Sequence, residues 1–436
     1  MKIENLHKEL PEKLTVEVCD TIQFFLRSNA DQQMRSVIHF SQQIDFDLLR
    51  KAARLSIYQE PIFSYTYNED NQGAFWQKQN EIDLSLLVDL VETPESVNAE
   101  INKFLTATIS PFDFPLVRLR VIRSNQKDVL CINMNHTPTD GAGLKNFLKI
   151  LSDNYNQLIE NSDYVCQTNI NGDRSIKQVT DNFTFFQKVQ FAKTGFKKPK
   201  KSPSWSFNWE KNDNDNRNQF AIANITADTF ERIKAFGKQK NATINDIVIA
   251  AFARAFVNTK EDNNKASKPL IVPVDLRKHI KSGHNTAICS LTSSMIVNVG
   301  HEIGSSFIET LDKVVKETNY KKQMNAEMFM LSPFLVLTKL MPYKKLKEQT
   351  MQRKMPPIPL VTNVGIIEPN DMNFNNTDIE YSYITGVISY GDYFTMGYST
   401  FKKQITFSIG FKGGNLQLQK ANNLLNDLKT ELENIK

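Results

Sequence analysis

The sequence has little of what would send a chain out of the cell or into a membrane. Its four cysteines, Cys19, Cys131, Cys166 and Cys289, lie far apart in 436 residues, without CxxC spacing. A chain this long needs no disulfide staples, so they read as reduced thiols of a cytoplasmic protein. The opening stretch MKIENLHKELPEKLTVEVCD lacks the basic start and apolar run of a secretion signal. The most apolar helical stretch, DIVIAAFARAF, is shorter than a bilayer span and carries Arg254, so no transmembrane segment is expected.

Charge of one sign is also lacking. With 53 basic and 48 acidic residues the net charge is +5, too little for the broad basic field that wraps nucleic acid. The six histidines show no paired ligand spacing, so no metal site is expected. No GxSxG elbow and no Cys–His pair of recognisable spacing point to a covalent acyl-enzyme. What remains is 40% hydrophobic, 10% aromatic and 23% charged, the balance of a globular protein with ample core. The length predicts two or three domains, and two large lobes are the simplest arrangement.

The first lobe is placed at residues 1–165. MRSVIHF reads as a strand, Asp45 caps a helix, and a strand pair turns at NEDNQG. In LVRLRVIRS, Val117, Leu119 and Val121 alternate with Arg118 and Arg120, which implies one solvated face. VLCINM reads as a central strand. Beyond it Leu144, Phe147, Leu148, Leu151, Tyr155, Leu158 and Ile159 mark an amphipathic helix. Residues 166–217 lose periodicity and collect Asn, Lys, Ser and Asp, including the run KKPKK at 197–201, and are read as a polar linker. The second lobe, 218–436, carries helices capped at Thr226 and Thr243. Its strands are KPLIVPVDLRK, SSMIVNVG, LVTNVGII, ITGVISY and KQITFSIGFKGGN, before a closing helix. The aromatic and Met-rich stretch MFMLSPFLVLTKLMPY is read as core packing, with an acyl pocket or a lipid-facing surface as alternatives.

Between strand and helix lies NHTPTDG, Asn135 to Gly141. A histidine held on such a connection, with an ordinary pKa near 6.5, is the natural side chain to take a proton at neutral pH. Asp140 carries a charge that must be paired if the loop is buried. Gly141 permits a positive φ or a close backbone approach. From spacing alone, His136 is either a base or an ordinary loop histidine.

The stretch NHTPTDG resembles the HHxxxDG signature of the chloramphenicol-acetyltransferase-like superfamily. That superfamily includes condensation domains of nonribosomal peptide synthesis, alcohol acetyltransferases, wax ester synthases and plant BAHD acyltransferases, many of them enzymes of secondary metabolism. Further stretches resemble the family in order over about residues 36 to 412: IDFDLLRKAARLSIYQEPIFSYTY, SPFDFPLVRLRVI, NATINDIVIAAFARAF, VPVDLRK and LVTNVGII.

The resemblance implies an α/β fold of two lobes, each a mixed sheet with helices, with an active-site tunnel between them. By it His136 is the general base, and Asp140 orients the loop through an ion pair with Arg277, while Gly141 keeps the turn. Asn245 and Asp246 fall on the Thr-x-Asn-Asp helix of the acetyltransferase and wax ester branches, and Asn363 falls near the tunnel. The function implied is acyl transfer to an alcohol or amine from acyl-CoA or a phosphopantetheinyl carrier thioester. No bound cofactor is implied, and an acyl or peptidyl carrier protein is a further partner. Asn135 replaces the family's first histidine, and the BAHD-type DFGWG segment has no match. The competing reading is therefore a catalytically inactive condensation-like binding or recruitment module.

Overall fold

The computed structural model describes residues 8, 10–80, 83–93, 96–197, 205–207, 209, 215–259, 267–352, 357–375 and 377–435. The architecture is a mixed α/β arrangement of two lobes, each built on its own sheet.

The first sheet has five strands, in the order Ile379–Thr385, Gln33–Phe40, Lys127–Asn135, Val117–Ser124 and Val88–Glu92. All neighbours are antiparallel except the last two. Lys127–Asn135 is central and buried from Asp128 onward, which its apolar run requires. Against one face lie the helices Phe46–Gln59 and Gly141–Glu160, which pack on each other, Asn154 Nδ2 of the second donating to Ser56 Oγ and Gln59 Oε1 of the first, both at 3.1 Å. Asp45 caps the first of these helices as expected, its carboxylate accepting from Leu48 N at 2.9 Å.

The other face is not solvated, contrary to the reading of its arginine alternation. The helix Val97–Thr106 covers it. Arg120 forks onto Asp89 at 2.8 and 2.6 Å and lies 5.3 Å from the ring of Phe104. A charged row on a strand signals a polar face, but paired guanidinium groups can sit beneath a helix.

Among the described residues the second sheet has seven strands. Thr292–Asn298, Pro269–Asp275, Leu360–Ile367, Thr395–Phe401 and Gln404–Lys412 follow in order, and the last pairs with both Ile388–Ser389 and Asn218–Ile225. The helices Ala227–Gln239, Ile244–Asn258, Phe307–Gln323 and Asn415–Glu433 cover it. A small third sheet joins Lys13–Thr15, Ala74–Lys78 and Tyr65–Glu69.

Two features tie the lobes together. Ile379–Thr385 follows a strand of the second sheet in the chain yet pairs antiparallel with Gln33–Phe40 of the first. The described part of residues 166–217 is also ordered. It contains the helices Lys177–Thr180 and Phe185–Gly195, and Trp205, Phe207 and Trp209 are buried in the second lobe's core. Of the KKPKK run, only Lys197 lies within the described residues.

All four cysteines are buried and unpaired. Among the described residues no helix is long and apolar enough to cross a membrane.

Candidate active site

The strand Lys127–Asn135 ends where the helix Gly141–Glu160 has not yet begun, and the intervening loop is fastened at every step. Asn135 is fully buried, and its side-chain amide donates to Ile109 O at 2.8 Å. Its Oδ1 accepts from Thr137 N at 2.9 Å, closing an Asx-type turn around His136. Asn135 is thus spent on the scaffold beneath the loop. The backbone of His136 is anchored too, its N donating to Gln32 O at 2.8 Å.

The ring of His136 is oriented by its own loop, with Nδ1 2.6 Å from Thr139 O. A carbonyl oxygen only accepts, so Nδ1 carries the hydrogen and Nε2 presents its lone pair. The ring is half-buried among buried neighbours, Asn135 on one side and Thr137, Pro-flanked Thr139 and Asp140 on the other.

Asp140 is both helix cap and interlobe anchor. Its Oδ1 accepts from Gly143 N at 3.0 Å. Arg277, on the turn after the strand Pro269–Asp275, grips both oxygens at 2.9 and 3.1 Å. Leu291 N and Thr292 Oγ1 add donors to Oδ2 at 2.7 and 3.0 Å. Burial by itself would raise this carboxyl, but the charge of Arg277 and the donors outweigh it and hold Asp140 below its ordinary value. Burial would likewise lower Arg277, and the facing carboxylate holds it above its ordinary range.

Gly141 meets the second lobe. Its φ is not positive, so the close approach is what it supplies: a Cβ there would lie 3.0 Å from Val364 Cγ1. Val364 is the extra residue of a bulge in Leu360–Ile367, where the register with Thr395–Phe401 shifts between Asn363 and Gly365. Asn363 is exposed and accepts from Gly365 N at 2.8 Å, and Gly365 has φ +91°. Asn363 therefore shapes the bulge that presses Val364 onto the start of the helix.

The remaining expected positions stand elsewhere. Asp246 completes the cap of its own helix with Thr243 and accepts from Thr318 Oγ1 at 2.8 Å. Asn245 accepts from Tyr398 Oη at 2.6 Å, and Tyr398 is the register partner of Asn363. Their Thr-x-Asn-Asp pattern thus marks a well-capped core helix beside the sheet. His136, Asp140, Gly141 and Arg277 are brought together; Asn135 lies beneath them, and Asn363 touches the group through Val364.

Three residues that the sequence did not mark belong to this place. Gly143 admits no side chain, because a Cβ would fall 1.9 Å from Thr139 Oγ1. Arg174 donates to Pro138 O at 3.1 Å and to Ile288 O at 3.2 Å, and pairs with buried Asp20 at 3.0 Å. Lys145, at the start of the second turn of the helix, donates to Ile366 O at 3.3 Å, and burial lowers its pKa. None has a local sequence signature, since each acts by tertiary contact.

Chemically the site offers an oriented imidazole and no activated thiol. Burial pushes the cysteines up, Cys166 to about 11 and Cys289 to about 12. Among the described residues no group of three or more His, Cys, Asp or Glu could hold a metal ion.

Comparison with known proteins concerns the fold. Residues 22–170 match the family model of the condensation domain. Three solved structures share the architecture over nearly whole chains. The first condensation domain of the CDA synthetase is 12% identical with a TM-score of 0.69, covering 97% of both chains. The epimerization domain from the third module of tyrocidine synthetase B is 13% identical with a TM-score of 0.67, covering 98% of this chain and 97% of that one. Trichothecene 15-O-acetyltransferase from Fusarium sporotrichioides is 11% identical with a TM-score of 0.68, covering 96% and 95%. At these identities the likeness is one of fold. No curated protein sequence matches the chain.

Proposed function

We propose that this chain, by fold a member of the chloramphenicol-acetyltransferase-like superfamily with a condensation-domain match in its first lobe, is an acyltransferase. It moves an acyl group from a thioester of CoA or of a phosphopantetheinyl carrier to an alcohol or amine. The observation that carries this reading is the 2.6 Å contact from His136 Nδ1 to Thr139 O, which leaves Nε2 as a fixed proton acceptor.

In the step proposed, the acceptor's O–H or N–H gives its proton to Nε2 as its lone pair attacks the thioester carbonyl carbon. The tetrahedral intermediate then collapses with cleavage of the C–S bond, and the leaving sulfur takes the proton from the imidazolium. A positioned base contributes roughly 10²- to 10⁴-fold, and holding both substrates adds to this by proximity. Asp140 keeps the loop in place and stays ionised throughout, since Arg277 and the backbone donors surround it. Its part is to position the base, which a buried, fully paired carboxylate does without exchanging protons.

The competing reading, an inactive binding module, rests on Asn135. Its buried amide holds the loop that carries the base, so the substitution is compatible with an active site. The test is release of free thiol from acyl-CoA and carrier-bound acyl thioesters, with alcohol and amine acceptors, for wild type and His136→Ala. Turnover by wild type and its loss in His136→Ala, with the melting temperature nearly unchanged, is the expected result. Wild-type turnover in His136→Ala would remove the base assignment. Absence of thiol release from every donor would favour the binding module.

A further inference from the structure

The helix Phe185–Gly195 is turned inside out. A helix lying on a protein normally shows polar residues to water and buries its apolar stripe. Here only Phe191 is buried, packed against Phe183 at 5.1 Å and Phe329 at 6.0 Å. The side facing water carries Phe185 at 74% exposure, Phe186 at 84% and Val189 at 49%, with Phe196 at 50% on the C-cap. At about 100° per residue, Phe185, Val189 and Phe196 fall in one narrow stripe, with Lys193 and Phe186 together along one side of it.

This presentation is fixed. Gly195 lies so close to the helix Glu327–Leu340 that a Cβ would meet Phe329 O at 2.0 Å and Pro333 at 2.6 Å. The Thr184–Gln187 capping box closes the other end.

Within the helix and its two ends the charge has one sign, with Asp181 the acidic neighbour just before it. Residues 183–197 contain Lys188, Lys193 and Lys197 and no Asp or Glu, and the sequence continues Lys198, Pro199, Lys200, Lys201. Lys188 reaches Asp181 at 3.5 Å, and Lys193 and Lys197 are exposed. The supporting helix ends in Leu340, 77% exposed, with exposed Lys344 and Lys345 following.

We propose that this helix is a docking surface for an anionic lipid bilayer. Its phenylalanines would enter the boundary between headgroups and acyl chains, and its lysines would meet the anionic headgroups. Phenylalanine beside lysine on a convex helix is the composition of interfacial binding, in which apolar burial and attraction to acidic lipid add together. A protein partner would need a matching pocket for two adjacent projecting rings, whereas a bilayer yields to them. The inference is independent of the role of His136.

The test is co-sedimentation of the full chain with vesicles of phosphatidylcholine alone and of phosphatidylcholine with phosphatidylserine at about 7:3. Binding is expected to the mixed vesicles at low salt, weakening as salt rises. The double variant Phe185→Ser/Phe186→Ser should bind roughly tenfold or more weakly with its melting temperature unchanged, since both rings lie outside the core. Lys193→Glu/Lys197→Glu should lose the preference for mixed vesicles, and it reads the same surface if the first variant folds poorly. Failure of the full chain to sediment with mixed vesicles would overturn the proposal, as would equal binding by both variants. Concentration-dependent dimerisation reversed by Phe185→Ser/Phe186→Ser, without vesicle binding, would assign the face to a second copy. Binding of a purified acidic carrier protein, lost in the same variant and without vesicle binding, would assign it to that partner.

Discussion

Asp140 shows how much one residue can hold. Its carboxylate accepts from Gly143, Arg277, Leu291 and Thr292 while 1% exposed, so it joins the loop to its helix and the first lobe to the second. Removing one partner of such a buried pair strands the other, at a cost of roughly 3–5 kcal/mol. Asp140→Asn should lower stability by that order in urea unfolding at neutral pH. The carboxyl's folded-state pKa lies below the unfolded value of about 3.9, so its stabilisation is present above that value and lost as pH falls through the folded pKa. The gap between wild type and Asp140→Asn should therefore narrow at acid pH; a gap of constant size would show that the charge is not what stabilises. Much of this was legible in sequence, because the histidine, aspartate and glycine sit within one short loop. Arg277 lies 137 residues from Asp140 and was found only through the likeness of VPVDLRK to a family strand. Arg174 and Lys145 had no such flag: an arginine in a polar stretch and a lysine on an amphipathic helix look like surface until the chain is folded.

At the scale of elements, the helix after the loop depends on two glycines for different reasons. Gly141 makes room for Val364 of the neighbouring lobe, and Gly143 makes room for Thr139 of its own loop. Any side chain at Gly143 must displace the Thr139 hydroxyl, and Thr139 O is the acceptor that orients His136. Gly143→Ala should cost roughly 1–3 kcal/mol by overpacking, and should also lower acyl-transfer turnover by more than a remote mutation of equal stability cost. Thermal melts paired with thiol-release rates would separate the two; a loss of stability with full turnover would show that the loop relaxes around the added methyl. The helix itself was legible from its apolar spacing, as was Leu360–Ile367, while the stretch KQITFSIGFKGGN covers Gln404–Lys412 but runs three residues past its end, to the first residue of the closing helix. The strand Thr395–Phe401 was not. TMGYSTF has a glycine, a serine and two threonines and was not among the expected strands, yet every residue in it is buried. Its place is set by pairing with Leu360–Ile367 on one side and Gln404–Lys412 on the other, contacts that no local pattern records.

For the molecule as a whole, the chain's route matters more than its composition. Ile379–Thr385 crosses back to complete the first sheet, covering the edge of Gln33–Phe40, a strand with seven of its eight residues buried. A fragment of residues 1–165 would leave that edge bare, and an exposed apolar edge invites association. It should aggregate or melt without a cooperative transition, while the full chain unfolds cooperatively; size-exclusion chromatography and circular dichroism would tell, and a monomeric, cooperatively folding fragment would show that the crossing strand is dispensable. The two-lobed plan was foreseen from the family likeness, but the exchange of a strand was not: the expected strand ITGVISY is split, with Ile384 and Thr385 ending the crossing strand and Ile388–Ser389 pairing in the second sheet.

The fork between Arg277 and Asp140 has a mechanical consequence. It is a latch across the two halves, with one side on a helix cap and the other on a sheet of the opposite half. Swinging the halves apart here would pull a buried carboxylate off its cation and, through Gly143, loosen the turn that aims the imidazole. On the function proposed, substrates are admitted by motions that leave the latch shut, and any motion that opens it also disarms the proposed base.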